Sequence, residues 1–295
     1  MLVLFTSHRV EMLKHFEEIA KDYDTIVIEE PKDSLFERML KGDITIDYYV
    51  ENLNTSFPLY STYQCEVLRR LYSMGKKIYQ VEPYLEMLER FHRAIESKQP
   101  LPSDELAMKV RVVEKKVGEA WIDYQEAFMR RDFDALVDSA VRFTKADAER
   151  FIVRDEMRAE EIAKIGDCLV EAGQIHILLP EILKEKGFNV DVVDLPREVA
   201  NKLGIEFYLN PGNELTIKYM LGEDVSDDEA KLMCAQSIIY VSLIPKDELL
   251  PSDEDPYPHL KRECRIAKKV RKLSYDECKE LFHRIWGQKL FNSEV

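Results

Sequence analysis

The chain has 295 residues, 45% of them hydrophobic, which is enough for one large domain or two modest ones with a full core. Its 42 basic and 56 acidic residues give a net charge of −14. A surface of that charge repels nucleic acid and anionic membranes, so the sequence argues against both as partners and favours a small-molecule or peptide substrate. Charged residues make up 33% of the chain, a composition that also occurs in thermophile proteins.

Several features of the sequence indicate a cytoplasmic protein. The five cysteines are scattered and form no Cys-x-x-Cys pair, as expected of reduced thiols. Residues 1–5 lack a basic leader and are followed by polar residues, so they predict a short buried strand and not a signal peptide. No apolar run of the sequence approaches the roughly 20 residues that a membrane helix needs. Homo-oligomer formation is compatible with these features and stays open.

The first part of the chain alternates between strand and helix patterns. Residues 2–5 form an apolar run that predicts a strand, and residues 10–19 carry apolar side chains at helical spacing. The β-branched run 25–28 is typical of a strand buried on both faces in a parallel sheet. A helix over about 62–74 and a strand over 77–81 follow. This order predicts βαβ units.

A long helical stretch follows the third predicted strand. Residues from about 84 to 165 are almost wholly helical in pattern, and the segments 104–130 and 133–164 predict a long helix hairpin. The pattern of residues 34–57, by contrast, predicts short and irregular structure. We therefore expect these segments to lie outside the sheet.

A further βαβ unit is predicted after the helical stretch. An apolar run at 168–170 predicts a strand, residues 175–186 predict a helix, and residues 190–193 predict the next strand. Gly187 lies just past the predicted helix, where a left-handed residue is needed. His176 then falls in the loop at the carboxyl end of a strand, which is where open α/β sheets bind their ligands.

The last hundred residues are predicted to be helical. Capping boxes at Ser226 to Glu229 and at Ser274 to Glu277 mark two helix starts. Residues 245–258 are acidic and proline-rich, which predicts an exposed linker. The basic run 261–272 predicts a solvated helix.

The predicted fold is α/β, with a mostly parallel central sheet, large helical insertions and a helical C-terminal region. We expect residues 1–195 to form the α/β core, with the insertion at about 84–165. Residues 196–295 are expected to pack on this core as a helical region.

Ionisable side chains follow four of the predicted strands at the point where each strand ends. They are His8, Glu29, Glu30, Glu82 and His176. If the strands are parallel neighbours, these side chains meet at one edge of the sheet, and two imidazoles with a carboxylate suffice to hold a divalent metal. We predict His8, Glu29 and His176 as metal ligands, with Glu30 or Glu82 as general base or additional ligand. Zinc, manganese, cobalt and iron all suit such ligands.

Each of these residues also has an ordinary structural interpretation. His8 and His176 could be histidines hydrogen-bonded near a helix start, and Glu29 or Glu30 could be a solvated carboxylate at a strand end. Glu82 could be a helix-entry acid that the helix dipole favours. These interpretations do not predict the recurrence at successive strand ends, whereas a shared site does.

Arg154, on the predicted helix before the fourth strand, could bind a substrate carboxylate or a developing oxyanion. The alternative is an ordinary ion pair with one of the neighbouring acids, Glu156, Glu160 or Glu161. The sequence contains no Gly-x-Gly-x-x-Gly or Gly-x-x-x-x-Gly-Lys loop, which disfavours a nucleotide cofactor. It also contains no Gly-x-Ser-x-Gly elbow, which argues against a serine hydrolase of the α/β type.

Taken together, these motifs resemble the TraB/PrgY–Tiki family, which is allied to the erythromycin-esterase and ChaN-like superfamily. Asp24 to Glu29 is similar to the family's Glu-bearing strand, Arg154 to Met157 to its Arg-containing helix, and Gly173 to His176 to its second Gly-x-x-His motif. The first Gly-x-x-His is matched at His8 but has Phe5 where the family has Gly. The resemblance covers about residues 1–195.

The resemblance implies an α/β core with a divalent-metal site at the strand ends. Tiki-branch members are metal-dependent proteases, ChaN-like members are associated with haem or iron, and TraB/PrgY members with peptide-pheromone regulation. On this basis we expect a metal-dependent hydrolase of peptides or of small amides or esters. The first alternative is a non-catalytic protein that binds haem, iron or a peptide in the same pocket. The second is an interaction protein whose C-terminal helices bind a partner.

Overall fold

The structure of the chain, a computed structural model, describes residues 1–53 and 55–288. These residues contain five strands: β1 (Leu2–Thr6), β2 (Thr25–Ile28), β3 (Lys77–Gln80), β4 (Leu169–Gly173) and β5 (Asp191–Asp194). They also contain the helices α1 (Val10–Ala20), α2 (Phe36–Lys41), α3 (Ile46–Asn52), α4 (Pro58–Ser73), α5 (Pro83–Glu96), α6 (Glu105–Met129), α7 (Phe133–Ile165), α8 (Leu179–Glu185), α9 (Leu195–Lys202), α10 (Pro211–Met220), α11 (Asp227–Leu243), α12 (Pro258–Val270) and α13 (Tyr275–Gln288).

The five described strands form one parallel sheet in the order β3-β2-β4-β1-β5. β4 lies between β1 and β2, and its Leu169 is opposite Leu2 on one side and Ile26 on the other. Because the strands are parallel, their carboxyl ends meet at one edge of the sheet. The sheet and its helices confirm the predicted α/β fold, with helical insertions and a helical C-terminal region.

Burial follows position in the sheet. The central strands are closed to solvent on both faces, and Val3, Ile26 and Val170 are completely buried. The outer strands β3 and β5 are partly exposed, with Tyr79 and Val192 at their surfaces. The uninterrupted apolar runs of β1 and β2 therefore correspond to strands that are buried on both faces.

Local structure agrees with several sequence signals. Gly187 has a φ of 94°, as its position after α8 requires. At the start of α13, the amide of Ser274 donates to Glu277, and the amide of Glu277 donates to the hydroxyl of Ser274, which is a complete capping box. The first capping box is formed in part, because the Ser226 hydroxyl accepts from the amide of Glu229.

Two local predictions were wrong. Residues 34–57 contain two short helices, α2 and α3, and not only irregular chain. The predicted helix at 175–186 begins later, at Leu179, because the amide of His176 bonds to the carbonyl of Gly173 and forms a turn. Residues 245–257 lie between α11 and α12 and are mostly exposed, as predicted for a linker. This linker is anchored by Glu248, which accepts from the amides of Leu59 and Tyr60 at the start of α4.

The described chain divides into two compact units. Unit 1 consists of Met1–Leu101, Arg154–Ile205 and Lys246–Lys261, and unit 2 consists of Pro102–Val153, Glu206–Pro245 and the described residues from Arg262 onward. Unit 1 contains the whole sheet. Unit 2 is built from helices, with Leu136, Ile239 and Phe282 buried in its core. The predicted boundary at residue 195, between the α/β core and the C-terminal region, was drawn from the order of elements along the chain and stays a prediction.

The five cysteines are buried and free, in agreement with the sequence. Among the described helices, none combines the length and the apolar character that crossing a bilayer requires.

Candidate metal centre

A cluster of buried charged side chains lies at the carboxyl edge of the sheet in unit 1. Glu29 follows β2, Glu82 follows β3 at the start of α5, and His176 lies in the turn between β4 and α8. One ligand atom from each of these three residues lies within 4.8 Å of the other two. Because β4 lies beside β2, the turn that carries His176 is placed next to Glu29.

His176 is completely buried, and both of its ring nitrogens contact carboxylates. Nε2 lies 2.8 Å from Oε1 of Glu29, and Nδ1 is hydrogen-bonded to Oδ1 of Asp155 on α7. The second oxygen of Asp155 accepts from the amide of Leu178 at 3.2 Å, which fixes the turn that carries the imidazole. Burial lowers the pKa of His176, but Glu29 and Asp155 outweigh it and raise the pKa above its ordinary value.

Arg154 joins the two glutamates of the cluster. Its Nη2 lies 3.0 Å from Oε2 of Glu82 and 3.0 Å from Oε1 of Glu29, and its Nε lies 3.3 Å from Oε1 of Glu82. The sequence predicted a guanidinium at this edge, and the structure places it there. The Arg154 side chain is 13% exposed, whereas that of Glu82 is completely buried.

Arg158, one helical turn after Arg154, is completely buried. It donates to the backbone carbonyls of Val81 at 3.2 Å and Glu171 at 2.9 Å, so it ties the ends of β3 and β4 to α7. Its Nη1 lies 3.5 Å from Oε2 of Glu29. Burial raises the pKa of Glu29, but the charges of His176 and the two arginines outweigh it and hold that pKa well below its usual range.

Glu171, inside β4, contributes a fourth buried carboxylate. It accepts from the hydroxyl of Thr6 at 3.1 Å and from the amide of Glu29 at 3.0 Å. Nε2 of His8 lies 3.7 Å from the same carboxylate. Glu171 therefore connects the ends of β1 and β2 across the strand that lies between them.

Gly173 borders a small space in the middle of the cluster. A β-carbon on Gly173 would lie 3.4 Å from Oε2 of Glu29, 3.8 Å from Cε1 of His8 and 3.9 Å from Cδ2 of His176. The amide of Gly173 donates to the same oxygen of Glu29 at 2.6 Å. A β-carbon on Gly173 would thus be in van der Waals contact with all three predicted ligands, so Gly173 faces the cluster.

His8 lies at the outer side of this space. Its side chain is 40% exposed, and its ring meets that of Tyr60 edge-on at 5.5 Å between centroids. Of the three predicted ligands, Glu29 and His176 belong to the closely spaced group, in which Glu82 is the third member. Glu82 therefore lies where an additional ligand could bind, and its role as a ligand, one of its two predicted roles, stays a prediction.

Glu30 points into a different set of contacts. Its carboxylate accepts from the side-chain amide of Gln80 at 3.1 Å, and Gln80 also donates to the hydroxyl of Tyr49. Burial, assisted by the negative charge of Glu171 and opposed by the Gln80 hydrogen bond, raises the pKa of Glu30 to about 7.

Asp155, Arg158 and Glu171 were not among the predicted site residues. Arg154 and Arg158 are four residues apart, so they share a helix face, and this spacing was a usable signal. Glu171 interrupts an apolar strand, and a charged residue there is rare unless it has partners. The cluster contains four carboxylates, two guanidinium groups and one imidazole. Negative formal charge is therefore in excess, and the cluster suits a cation.

A protein of Archaeoglobus fulgidus, named only as an uncharacterized protein, is 38% identical to this chain over 289 residues, which are 98% of this chain and 100% of that protein. The chain belongs to the family of this archaeal protein. The shared length includes both units described above. No family model matches the chain, and no solved structure matches it.

The raised pKa of Glu30 predicts how the stability of the metal-free protein depends on pH. The folded state holds a proton on Glu30 up to about pH 7, whereas an ordinary Glu loses it near 4.5. The contribution of Glu30 to the free energy of unfolding is therefore complete below about 4.5 and is lost as the pH rises to about 7. Glu30→Gln should be more stable than the parent at pH 8 by about 1–3 kcal/mol, with little difference at pH 4.

Urea unfolding of both proteins with chelator, from pH 4 to pH 8, measures this difference. Parallel pH profiles for the parent and the variant would contradict the assignment.

Proposed function

We propose that the chain is a metal-dependent hydrolase whose divalent cation binds Glu29, Glu82 and His176. The observation that carries the proposal is the hydrogen bond between Asp155 and Nδ1 of His176, because it leaves Nε2 directed at Glu29. Histidines that bind metals usually donate their second ring N–H to a carboxylate in this way, which fixes the tautomer and the ring orientation.

The donor atoms suit a divalent transition metal. Two carboxylates and one imidazole match the preferences of zinc, manganese, cobalt and iron, and leave coordination positions for substrate and water. The contacts of Arg154 with Glu29 and Glu82 are compatible with this, because each carboxylate oxygen has two lone pairs and can accept a hydrogen bond while it coordinates a cation. The formal excess of carboxylates in the cluster also favours a cation.

Metal binding should be coupled to proton release. The carboxylates at both ring nitrogens raise the pKa of His176 and so favour the protonated imidazole, in which Nε2 must lose its proton before it coordinates a metal. The affinity for metal should therefore fall as the pH is lowered.

A divalent cation in this position would supply Lewis-acid activation of water and of a substrate carbonyl. Arg154, the more exposed of the two arginines, would bind the substrate carboxylate or the developing oxyanion. Glu30 has a pKa of about 7, which suits a general base at neutral pH, but its carboxylate is bonded to Gln80 and would have to turn toward the centre to accept a proton there. His8 lies at the exposed side of the centre, where it can contact a substrate. We expect peptides or small amides or esters as substrates.

The motifs that resemble the TraB/PrgY–Tiki family support this proposal. The Glu-bearing strand, the Arg-containing helix and the second Gly-x-x-His supply Glu29, Arg154 and the pair Gly173 and His176. We therefore propose that the chain is a member of that group with a cytoplasmic location.

The alternative function is a protein that holds a ligand in the same centre without turning it over, such as iron, haem or a peptide. The complete burial of Glu82 and His176 favours this alternative, because it leaves little room for a substrate beside them. A haem adduct would give a Soret band after reconstitution.

The proposal predicts that His176→Ala loses the metal. The parent, purified without chelator, should contain about one equivalent of a transition metal, and the variant should contain almost none because a ligand is missing. Metal content by mass spectrometry and hydrolysis of peptide and ester substrates measure both properties. His92→Ala, which changes an exposed histidine on α5, is the matched control and should keep metal and activity.

Full metal occupancy in His176→Ala would rule out this ligand set. A metal-loaded parent without hydrolytic activity would favour the non-catalytic alternative.

Asp155→Asn tests the hydrogen bond that orients His176. Loss of the carboxylate should weaken metal binding by about 10–100-fold, because the imidazole is no longer held in its coordinating tautomer. Metal titration monitored by calorimetry measures the affinity, and Glu156→Gln, which removes an exposed acid from the next position of α7, serves as the control. Equal affinities in both variants would show that Asp155 has no special role.

A further inference from the structure

Helix α6 of unit 2 has an apolar stripe on its exposed side. Large hydrophobic side chains that are between 41% and 76% exposed occur at six of its positions: Leu106, Met108, Val112, Trp121, Ile122 and Met129. Four of them, at 108, 112, 122 and 129, have the spacing of one coiled-coil stripe, together with Lys115 and Glu119. Glu126 is the third charged residue of this stripe, so its exposed apolar residues alternate with charges. A stripe that combines exposed apolar and charged side chains is typical of a helix that pairs with another helix.

The stripe is separate from the face by which α6 packs within unit 2. That face is formed by Val110, Val113, Val117 and Ala120, which are all buried. The core of unit 2 therefore does not require the residues of the stripe to be apolar. Trp121 differs from them, because its ring packs on Tyr124 and Phe143 within the same unit.

Charge along α6 is divided between its two halves. Residues 105–117 contain four basic and two acidic residues, whereas residues 118–129 contain three acidic residues and no basic one. A helix with this distribution is complementary to an antiparallel copy of itself, because each basic half then faces an acidic half. A parallel copy would place like charges together.

We propose that α6 forms the interface of a homodimer, in which it pairs antiparallel with α6 of a second copy. A two-fold axis at the level of Val117 places Val112 opposite Ile122 and Lys115 opposite Glu119 of the other copy. In the middle of the interface an apolar pair and an oppositely charged pair therefore share one register, while Met108 falls opposite Glu126. Such a contact is isologous and closes on itself, as dimer interfaces do.

A groove beside the stripe provides space for a side chain of the second copy. It has a volume of about 460 Å³ and is lined mainly by Met108, Val112, Val113, Ile152 and Val153. In the antiparallel register, Met129 of the second copy lies opposite residue 105, next to the Met108 end of the groove. Methionine adapts well to an apolar groove of this kind.

Sedimentation of the full chain over a range of concentrations tests the proposal. The parent should sediment as a dimer, and Ile122→Glu should raise the dissociation constant by at least about tenfold, because it places a charge in the centre of the stripe. Ile95→Glu is the matched control, since Ile95 is 62% exposed on α5, and it should leave the dimer unchanged. A monomer at all concentrations, or a dimer that resists Ile122→Glu, would overturn the proposal.

Charge reversal tests the register. Lys115→Glu and Glu119→Lys should each weaken the dimer, and the double variant should restore it, because oppositely charged residues are again opposite each other. Lys115 and Glu119 also pair within one helix at 3.8 Å, so helix content by circular dichroism is measured in parallel to separate effects on folding. If the double variant has normal helix content but does not regain the dimer affinity of the parent, the proposed register is wrong.

Cross-linking decides the orientation of the helices. A mixture of Val112→Cys and Ile122→Cys chains should form the mixed disulfide, and the five native cysteines are buried and should not interfere. A disulfide between two Val112→Cys chains in preference to the mixed one would contradict the antiparallel arrangement.

Discussion

The contacts of His176 with Asp155 and Glu29 are the interaction on which the candidate centre depends. An imidazole buried between two carboxylates is costly unless every charge has a partner, and removal of one partner leaves an uncompensated charge. Here α7 supplies the partners from one face: Asp155 holds the imidazole, Arg154 holds Glu29 and Glu82, and Arg158 holds the strand ends. The same contacts that stabilise the centre also set the direction of Nε2.

The position of β4 explains why the centre forms at this edge. A strand between β1 and β2 brings the turn from Gly173 to His176 between the residues that follow those two strands. Glu171 contacts Thr6 and the amide of Glu29, so it fixes both neighbours. The position of the proposed metal centre therefore follows from strand order, which brings Gly173 and His176 beside Glu29.

Much of the fold and part of the centre could be predicted from the sequence. Apolar runs located the ends of four strands within one residue, whereas β4 ends three residues later than predicted. The residues after the predicted strands included Glu29, Glu82 and His176. Strand order cannot be read from hydrophobic patterns, so the sequence could not show that Glu82 lies closer to Glu29 and His176 than His8 does. The roles of Asp155 and Arg158 depend on which face of α7 is turned toward the sheet. The sequence could not show this, because many exposed residues of α7 are charged as well.

The proposed dimer interface and the proposed metal centre belong to different units of the chain and depend on different physical properties. The dimer proposal rests on the exposed apolar residues and the charge distribution of α6. The metal proposal rests on a buried, hydrogen-bonded histidine. Failure of one proposal therefore leaves the other unaffected.

X-ray absorption spectroscopy of the metal-loaded protein tests the central claim most directly. We expect about one equivalent of metal with one imidazole nitrogen and carboxylate oxygens at roughly 2.0–2.2 Å, and loss of the imidazole signal in His176→Ala. A metal environment without imidazole, or one that His176→Ala leaves unchanged, would contradict the assignment of Glu29, Glu82 and His176 as ligands.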